Sequence, residues 1–584
     1  MQAKKIIDLE GSSSELGSLM DAAFEESRSK YIEVVERISR CLNKDMYWAF
    51  GSIASRNKYY SPLIERLNKI YLVRRILSDS YQPILVLTGD KVLCDVLIQN
   101  FSSPLNHIQF LCTERLAGRL WRISRPIRQY VISAALLFLR FMASRNPRKL
   151  IEKINLLSKP IVLLDTFVLN NNGDEGGIKN GEYLDRYYPG LFKFLSNEHA
   201  SLVWYLPTIV GFHNFFKIFK AIRSCSSKFI LIDDVIKIQD YFFALSYPFK
   251  YLRNKIPPVS SDGVNIDKLL LDEKWNKCSD YMSIQALLYY RFAQRLKERG
   301  VRVQRYIDWN ENQAIDRAMI KGMRHAYPDA SIAAYQGYII SKKLHLYCFP
   351  TDSEIFWGYS PDVMYVVGSG LIEDMKEFSK NIYVKVGPAF RFQNVWRRRE
   401  NTLPLNEFTV LLGLPISLVE AAHISEVVKR ATHNFSREFG RFLIKPHPTY
   451  SIEFIKEFLG VNEAENIQYI FGDFHVAIEK SNLLISNSSS VCLESLAKGV
   501  PVIVVSSAVG VTQNPIPPGV SSQVWDMARD SGEVLRSIEK FRYLSQSNPH
   551  LYTEIGGEVR EKYFSPVCYD SVISFVFGGS RANE

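Results

Sequence analysis

None of the eight cysteines, scattered at 41, 94, 112, 225, 278, 348, 492 and 568, forms a Cys-x-x-Cys pair. That spacing excludes a zinc ribbon and a disulfide framework, and it fits reduced thiols in a cytoplasmic protein. No uncharged apolar run reaches the ~18 residues needed to cross a bilayer. The first ten residues hold no apolar core of the secretory kind, so no signal peptide is expected. Zinc-finger spacing and RNP-like motifs are also missing, which argues against nucleic acid as the partner of a chain with net charge +11. An anionic ligand or a membrane surface remains to explain that charge. With 47% hydrophobic and 23% charged residues the composition is globular, and 584 residues exceed one core, so two or three domains are expected.

Residues 482–505 read as a short apolar strand, a polar turn, a short helix, a Gly-Val-Pro stop and a second buried strand. The turn holds Ser488, Ser489 and Ser490 where helical periodicity begins, a place where free backbone N–H groups attract anions. Glu494 lies one helical turn deeper, where a carboxylate can meet a ribose diol. The same residues also suit an ordinary capped helix. Some forty residues upstream, a strand over 441–444 runs into Lys445-Pro446-His447-Pro448. The prolines stop the strand and hold His447 rigidly at its carboxyl end, the rim where open parallel sheets bind ligands.

Strand–helix alternation starts near residue 82, with strands predicted over 84–87, 108–111, 161–164, 202–205 and 229–232. It resumes over 302–307, 331–335, 363–367, 382–386, 408–412, 467–470, 483–485 and 502–505. This repetition implies an α/β fold of doubly wound, mainly parallel sheets. Asp165 stands at a predicted strand end, Glu311 in a polar cluster after another, and Gln336 in the turn after a third. Gly387 and Arg391 follow the strand over 382–386, the first admitting close backbone approach and the second able to pair with phosphate or a sugar carboxylate. Residues 115–153 carry basic side chains at 115, 119, 122, 125, 128, 140, 145, 148, 149 and 153 around the apolar run 131–139. The run is too short to span, but a basic amphipathic helix can lie in the headgroup layer, each cation near an anionic leaflet contributing about 1 kcal/mol. A buried helix with a solvated basic flank is the other reading.

Lys-Pro-His-Pro, then Ser-Ser-x-x-x-Glu and Gly-x-Pro, resembles the nucleotide-sugar half of GT-B glycosyltransferases. It is most similar to bacterial sialyltransferases, Kdo transferases and surface carbohydrate biosynthesis proteins. The resemblance implies two Rossmann-like domains facing a cleft. Lys445, His447, Ser488, Ser489, Ser490 and Glu494 would bind the donor, with Arg391, Gly387 and Gln336 assisting. Asp174-Glu175-Gly176 resembles the acidic pair that supplies the base in the sialyltransferases; Asp165 and Glu311 compete with Asp174, and His447 joins them as a catalytic candidate. In the related pattern a His follows the Gln of the Gln336 turn, whereas here Gly337 follows.

The expected layout is a helical segment over 1–80, an acceptor domain over 81–338, a nucleotide-sugar domain over 339–545 and a terminal helix over 546–584 that crosses back. The absence of any Asp-x-Asp fits metal-independent transfer without a cofactor. The expected donor is a CMP-activated ulosonic acid (Kdo or sialic-like), and the acceptor a bacterial surface polysaccharide or glycolipid. The enzyme is expected at the inner face of the membrane, held by the basic amphipathic stretch. Three rivals remain open: a CDP-glycerol-type polymerase, a UDP-sugar 2-epimerase, and a membrane-bound scaffold that keeps the nucleotide site without turnover.

Overall fold

The computed structural model describes residues 5–11, 14–79, 83–102, 108–144, 154, 159–169, 176–210, 215–343, 345–397, 399, 408–487, 489–548 and 550–578. Two six-stranded sheets dominate. The first runs, edge to edge, Val384–Val386, Val363–Val366, Ser331–Gln336, Val303–Trp309, Ile161–Leu169 and Val203–Val210, every pair parallel. The second runs Ile467–Tyr469, Arg441–Lys445, Thr409–Gly413, Leu483–Ser486, Val502–Val505 and Trp525–Ala528, again all parallel. The central strands are near-continuous Val, Ile and Leu runs because helices cover both faces. The result is an α/β, GT-B-like pair of doubly wound lobes.

Three features depart from the sequence reading. Ile84–Thr88 and Ile108–Cys112 do not join the main sheet; with Lys5–Asp8 they form a separate three-stranded parallel sheet. The first segment is therefore not wholly helical, and its strand explains where the pairing of residues 84–88 goes. Residues 229–232 make only one bridge, Phe229 to Tyr205, before a 3-10 turn over Ile232–Asp234. Asp234 accepts from the Leu231 N–H, and Asp233 is held by Arg140 at 2.8–2.9 Å, so the chain turns off the sheet edge. Lastly, Val363–Val366 and Val384–Val386 belong to the first sheet, which moves the division between the lobes past residue 397, away from 339. Gly387 and Arg391 thus lie on the first lobe.

The terminal helix Tyr569–Phe577 returns to the first lobe. Its Phe575 packs 5.0 Å from the Tyr335 ring, 5.2 Å from Tyr365 and 5.7 Å from Phe390. The N-terminal segment docks through buried charge. Arg56, in the left-handed region at φ 57°, donates to the carbonyls of Leu346 and Phe349 and to Glu354 at 2.7 Å. Arg317 donates to the Ala54 carbonyl at 2.6 Å and stands 3.4 Å from the same Glu354.

Removing one partner of a buried ion pair strands the other. Arg56→Met is expected to destabilise the protein by about 3 kcal/mol in urea unfolding. Arg56→Lys should recover only part of that, because one ammonium cannot reach Glu354 and both carbonyls. Unchanged midpoints would mean that the segment docks without this contact.

Candidate functional site

The carboxyl ends of the first sheet's strands open onto a cleft of about 710 Å³. Trp309 and Glu311 line it after strand Val303–Trp309, Tyr338 and Ile339 after Ser331–Gln336, and Arg186, Tyr187 and Arg391 from loops of the same lobe. Ser489 and Ser490 line it from the second lobe. Ser55, Asn57, Tyr59 and Tyr60 close one side, so the N-terminal segment is a wall of the site. Aromatic rings pave the floor, with Tyr187 edge-on to Trp309 at 4.7 Å and Tyr338 stacked on it at 6.0 Å. Such faces suit the apolar side of a sugar or a base.

Local structure explains why Glu311 faces the cavity. The helix Ala314–Ala326 starts with a capping box, in which Asp316 accepts from the N–H groups of Gln313 at 2.9 Å and Glu311 at 3.1 Å. Asn312 takes a left-handed φ of 47°, which tightens the turn. Gln313 then donates to the Glu311 carboxylate at 2.5 Å. Burial raises the proton affinity of Glu311, against the pull of Gln313 and the charge of Arg391.

The competing carboxylates fare differently. Asp165 is buried behind the cleft wall, accepts from the Trp309 N–H at 3.3 Å, and does not line the cavity. Burial and then neighbouring Asp308 push its pKa well up. Asp174 lies outside the described residues. Gln336 is buried beneath the floor, and its amide has no partner among the described residues. The glycine after it is steric: a Cβ on Gly337 would stand 2.4 Å from both the Trp309 and Tyr335 rings, so no His fits there.

On the second lobe Ser488 lies outside the described residues. Ser490 donates to Glu494 at 3.0 Å, and the other Glu494 oxygen meets His475 Nε2 at 3.1 Å. Glu494 is therefore engaged by its own lobe. Lys445 turns away from the cavity, and its buried ammonium donates to the Gly472 carbonyl at 2.6 Å, bracing the rim. Gly387 packs against Tyr365, with room for a Cβ only 3.1 Å from the tyrosine Cβ, and does not line the cleft. His447 accepts at Nδ1 from the Thr449 N–H at 3.3 Å and meets the Thr449 hydroxyl at 2.8 Å. Its ring proton therefore sits on Nε2. Burial, then the charges of Arg186 and Lys445, lower the His447 pKa, so the ring is neutral near pH 7.

Neither Arg186 nor Arg391 forms an ion pair among the described residues. Burial and then Arg186 lower the Arg391 pKa, which places the two guanidiniums near each other. The sequence reading missed Arg186, His475 and the 55–60 loop. No motif marks them, because each reaches the site through tertiary packing. Among the described residues no group of three or more His, Cys, Asp or Glu is arranged to hold a metal ion.

No protein-family model matches the chain, and no curated protein matches it. Solved structures do. The S. aureus MnaA–UDP structure matches at 11% identity over 72% of this chain and 98% of its own, with TM-score 0.41. UDP-GlcNAc 2-epimerase from Neisseria meningitidis bound to UDP-GlcNAc matches at 11% identity over 72% and 100%, with TM-score 0.41. Acinetobacter baumannii MurG matches at 11% identity over 71% and 99%, with TM-score 0.38.

Burial opposes charge on His475, but Glu494 outweighs it and raises the pKa above the ordinary 6.5. The folded protein thus binds this proton more tightly than the unfolded chain. The pair stabilises fully below the unfolded value and loses that contribution as pH rises through the folded one. His475→Ala should cost about 1–2 kcal/mol near pH 6 and less near pH 8, read from thermal unfolding. Equal losses at both values would mean that the imidazole is not charged in the pair.

Proposed function

We propose that this cleft transfers a glycosyl group from a nucleotide-activated sugar to an acceptor hydroxyl. The observation that carries the reading is the pair Arg186 and Arg391, guanidiniums that form no ion pair among the described residues, in one cleft with Ser489, Ser490 and Glu311. Positive charge gathered in a part-buried cleft is what an anionic ligand completes. In the transfer, the bond between the anomeric carbon and the phosphate oxygen breaks, and its electron pair stays on phosphate. Arg186, Arg391 and the serine turn meet that charge where it develops, and one well-placed donor of this kind lowers a barrier by about 3–4 kcal/mol. His447 stands on the second lobe outside the cavity lining, and in this reading its Nε2–H meets the same phosphate from the rim. The acceptor oxygen bonds to the anomeric carbon while Glu311 takes the hydroxyl proton, a role that its raised proton affinity suits.

The finer reading is a CMP-activated ulosonic acid as donor, Kdo or sialic-like. Two guanidiniums would then serve two anions, the phosphate and the sugar carboxylate. The acceptor in this reading is a bacterial surface polysaccharide, lipopolysaccharide or glycolipid, and the enzyme works at the inner face of the membrane.

The test is thermal unfolding with CMP, CDP, UDP and GDP, followed by transfer assays with CMP-Kdo and CMP-sialic acids. A nucleotide at 100 times its dissociation constant adds about 2.7 kcal/mol to the native state, enough for a clear shift. CMP is expected to stabilise most, Arg391→Ala to abolish the shift, and Glu311→Gln to keep it while transfer falls by about 10²–10⁴. A shift with UDP or CDP alone would move the donor to those sugar or glycerol nucleotides. No shift with any nucleotide would overturn the reading.

A further inference from the structure

We propose that the paired helices Leu116–Ile123 and Arg125–Ala143 form a face that docks on an anionic bilayer surface. The second helix presents Ile127, Val131, Ile132, Ala135, Phe138 and Leu139 to solvent. At ~100° per residue these positions fall within about 140° of one side. Ile127 is 68% exposed, Val131 61% and Phe138 62%. The opposite side is fixed: Ser133, Leu137 and Arg140 are buried, and Arg140 is clamped to Asp233 at 2.8–2.9 Å. The apolar side therefore cannot roll inward. The shorter helix extends it with Leu116, Leu120, Ile123 and Trp121, the last 67% exposed. A contiguous apolar surface of this kind marks an interaction site.

The charge around the face selects the occupant. Tyr130 packs edge-on to Phe249 at 5.9 Å, which joins the helix Tyr247–Arg253 to the surface. That helix adds exposed Phe249, Lys250, Leu252 and Arg253. Arg115, Lys250 and Arg253 form no ion pair among the described residues. Residues 115–151 and 241–261 contain no Asp or Glu. Not all the cations that the sequence reading gave to this face are free: Arg122 pairs with Asp272 at 2.8 Å, buried Arg140 pairs with Asp233, and Arg128 lies over the exposed Trp121 ring at 3.2 Å. Residues 145, 148, 149 and 153 lie outside the described residues.

An apolar centre with a cationic rim, its nearest acids Glu114 and Asp272 facing Arg119 and Arg122, matches a leaflet that offers acyl chains below anionic headgroups. A second copy in an isologous dimer would set that rim against itself. No helix among the described residues is long and apolar enough to cross a membrane, so the contact lies in the interface plane. The buried side of the second helix is tied toward the cleft: Ser133 donates to the Ser279 carbonyl at 3.3 Å, just before the helix Tyr281–Glu298 that brings Met282 to the cleft wall.

Flotation of the full chain with vesicles of phosphatidylglycerol and phosphatidylcholine in equal parts, against phosphatidylcholine alone, tests this without any nucleotide. The chain is expected to float with the anionic vesicles and about tenfold less with the neutral ones, with binding weakened by salt. Val131→Glu with Phe138→Glu should abolish flotation at an unchanged unfolding midpoint, since both side chains are exposed. Lys250→Glu with Arg253→Glu should lower it on anionic vesicles only. Wild-type protein that stays unbound, or a Val131/Phe138 variant that floats as wild type, would overturn the proposal. A dimer in sedimentation that this variant dissolves, without flotation, would assign the face to a second copy and overturn it equally.

Discussion

The cleft depends on one buried carboxylate. Glu354 meets Arg56 at 2.7 Å, Arg317 at 3.4 Å and the Asn312 amide at 3.3 Å, so two other stretches of chain, around 56 and over 312–317, converge on it. Arg56 belongs to the N-terminal loop that walls the cleft, and Asn312 adjoins Glu311, the carboxylate that faces the cavity. Burial opposes the charge of Glu354, but the two guanidiniums outweigh it and hold its pKa below the usual range. The paired Glu354 oxygens tie together what they touch, while Arg317 Nε has no hydrogen-bond partner among the described residues. The N-terminal segment, outside both main sheets, is in this way made part of the site's geometry.

The same segment also reaches the second lobe. Asp21, on the helix Ser14–Leu42, accepts from the Thr512 N–H at 2.8 Å and its hydroxyl at 2.6 Å. Gly17 lies so close to the backbone there that a Cβ would stand 2.0 Å from the Ser507 carbonyl oxygen. From the other side, the terminal helix returns its Phe575 to the aromatic nest of the first lobe, and Lys498 donates to the Arg397 carbonyl at 2.5 Å. Any opening of the lobes has to pivot about these contacts.

What the sequence made legible follows from local physics. Buried parallel strands announce themselves as short apolar runs, and prolines beside His447 or serines before a helix mark a strand end or a turn. Membership is a different matter. The runs over 363–366 and 384–386 look like those of either lobe, and only the pairing of Val363 with Ala333 assigns them. Residues 229–232 have the right composition for a strand, but the Arg140–Asp233 pair and the Asp234 turn override it. Direction is equally invisible: Lys445 sits at the predicted rim yet points to Gly472, and Asp165 ends a strand yet faces the core. Arg186 and His475 carry no motif at all, since a lone Arg or His in a loop looks the same wherever it packs.

The electrostatics of the site has a consistent sense. Behind Glu311 stand Asp165, Asp308 and Asp316, all buried, with burial as the main cause of their raised pKa values; Asp308 is pushed up to about 6 and the other two well above the carboxylate range. Asp165 and Asp316 therefore hold their protons more tightly than an exposed carboxyl, whereas Asp308, at about 6, is largely ionised near pH 7 and is held by the Tyr306 hydroxyl and the Asn310 amide. At His447 burial is the larger cause of the lowered pKa, and the charges of Arg186 and Lys445 add to it. An anion seated between the guanidiniums and the serine turn would reverse the balance. It would offset Arg186, the neighbour that depresses His447, and would raise the proton affinity of Glu311 across the cleft. The base would then be strongest when the cleft is filled, and the imidazole would be readiest to carry charge when a phosphate is there to receive it.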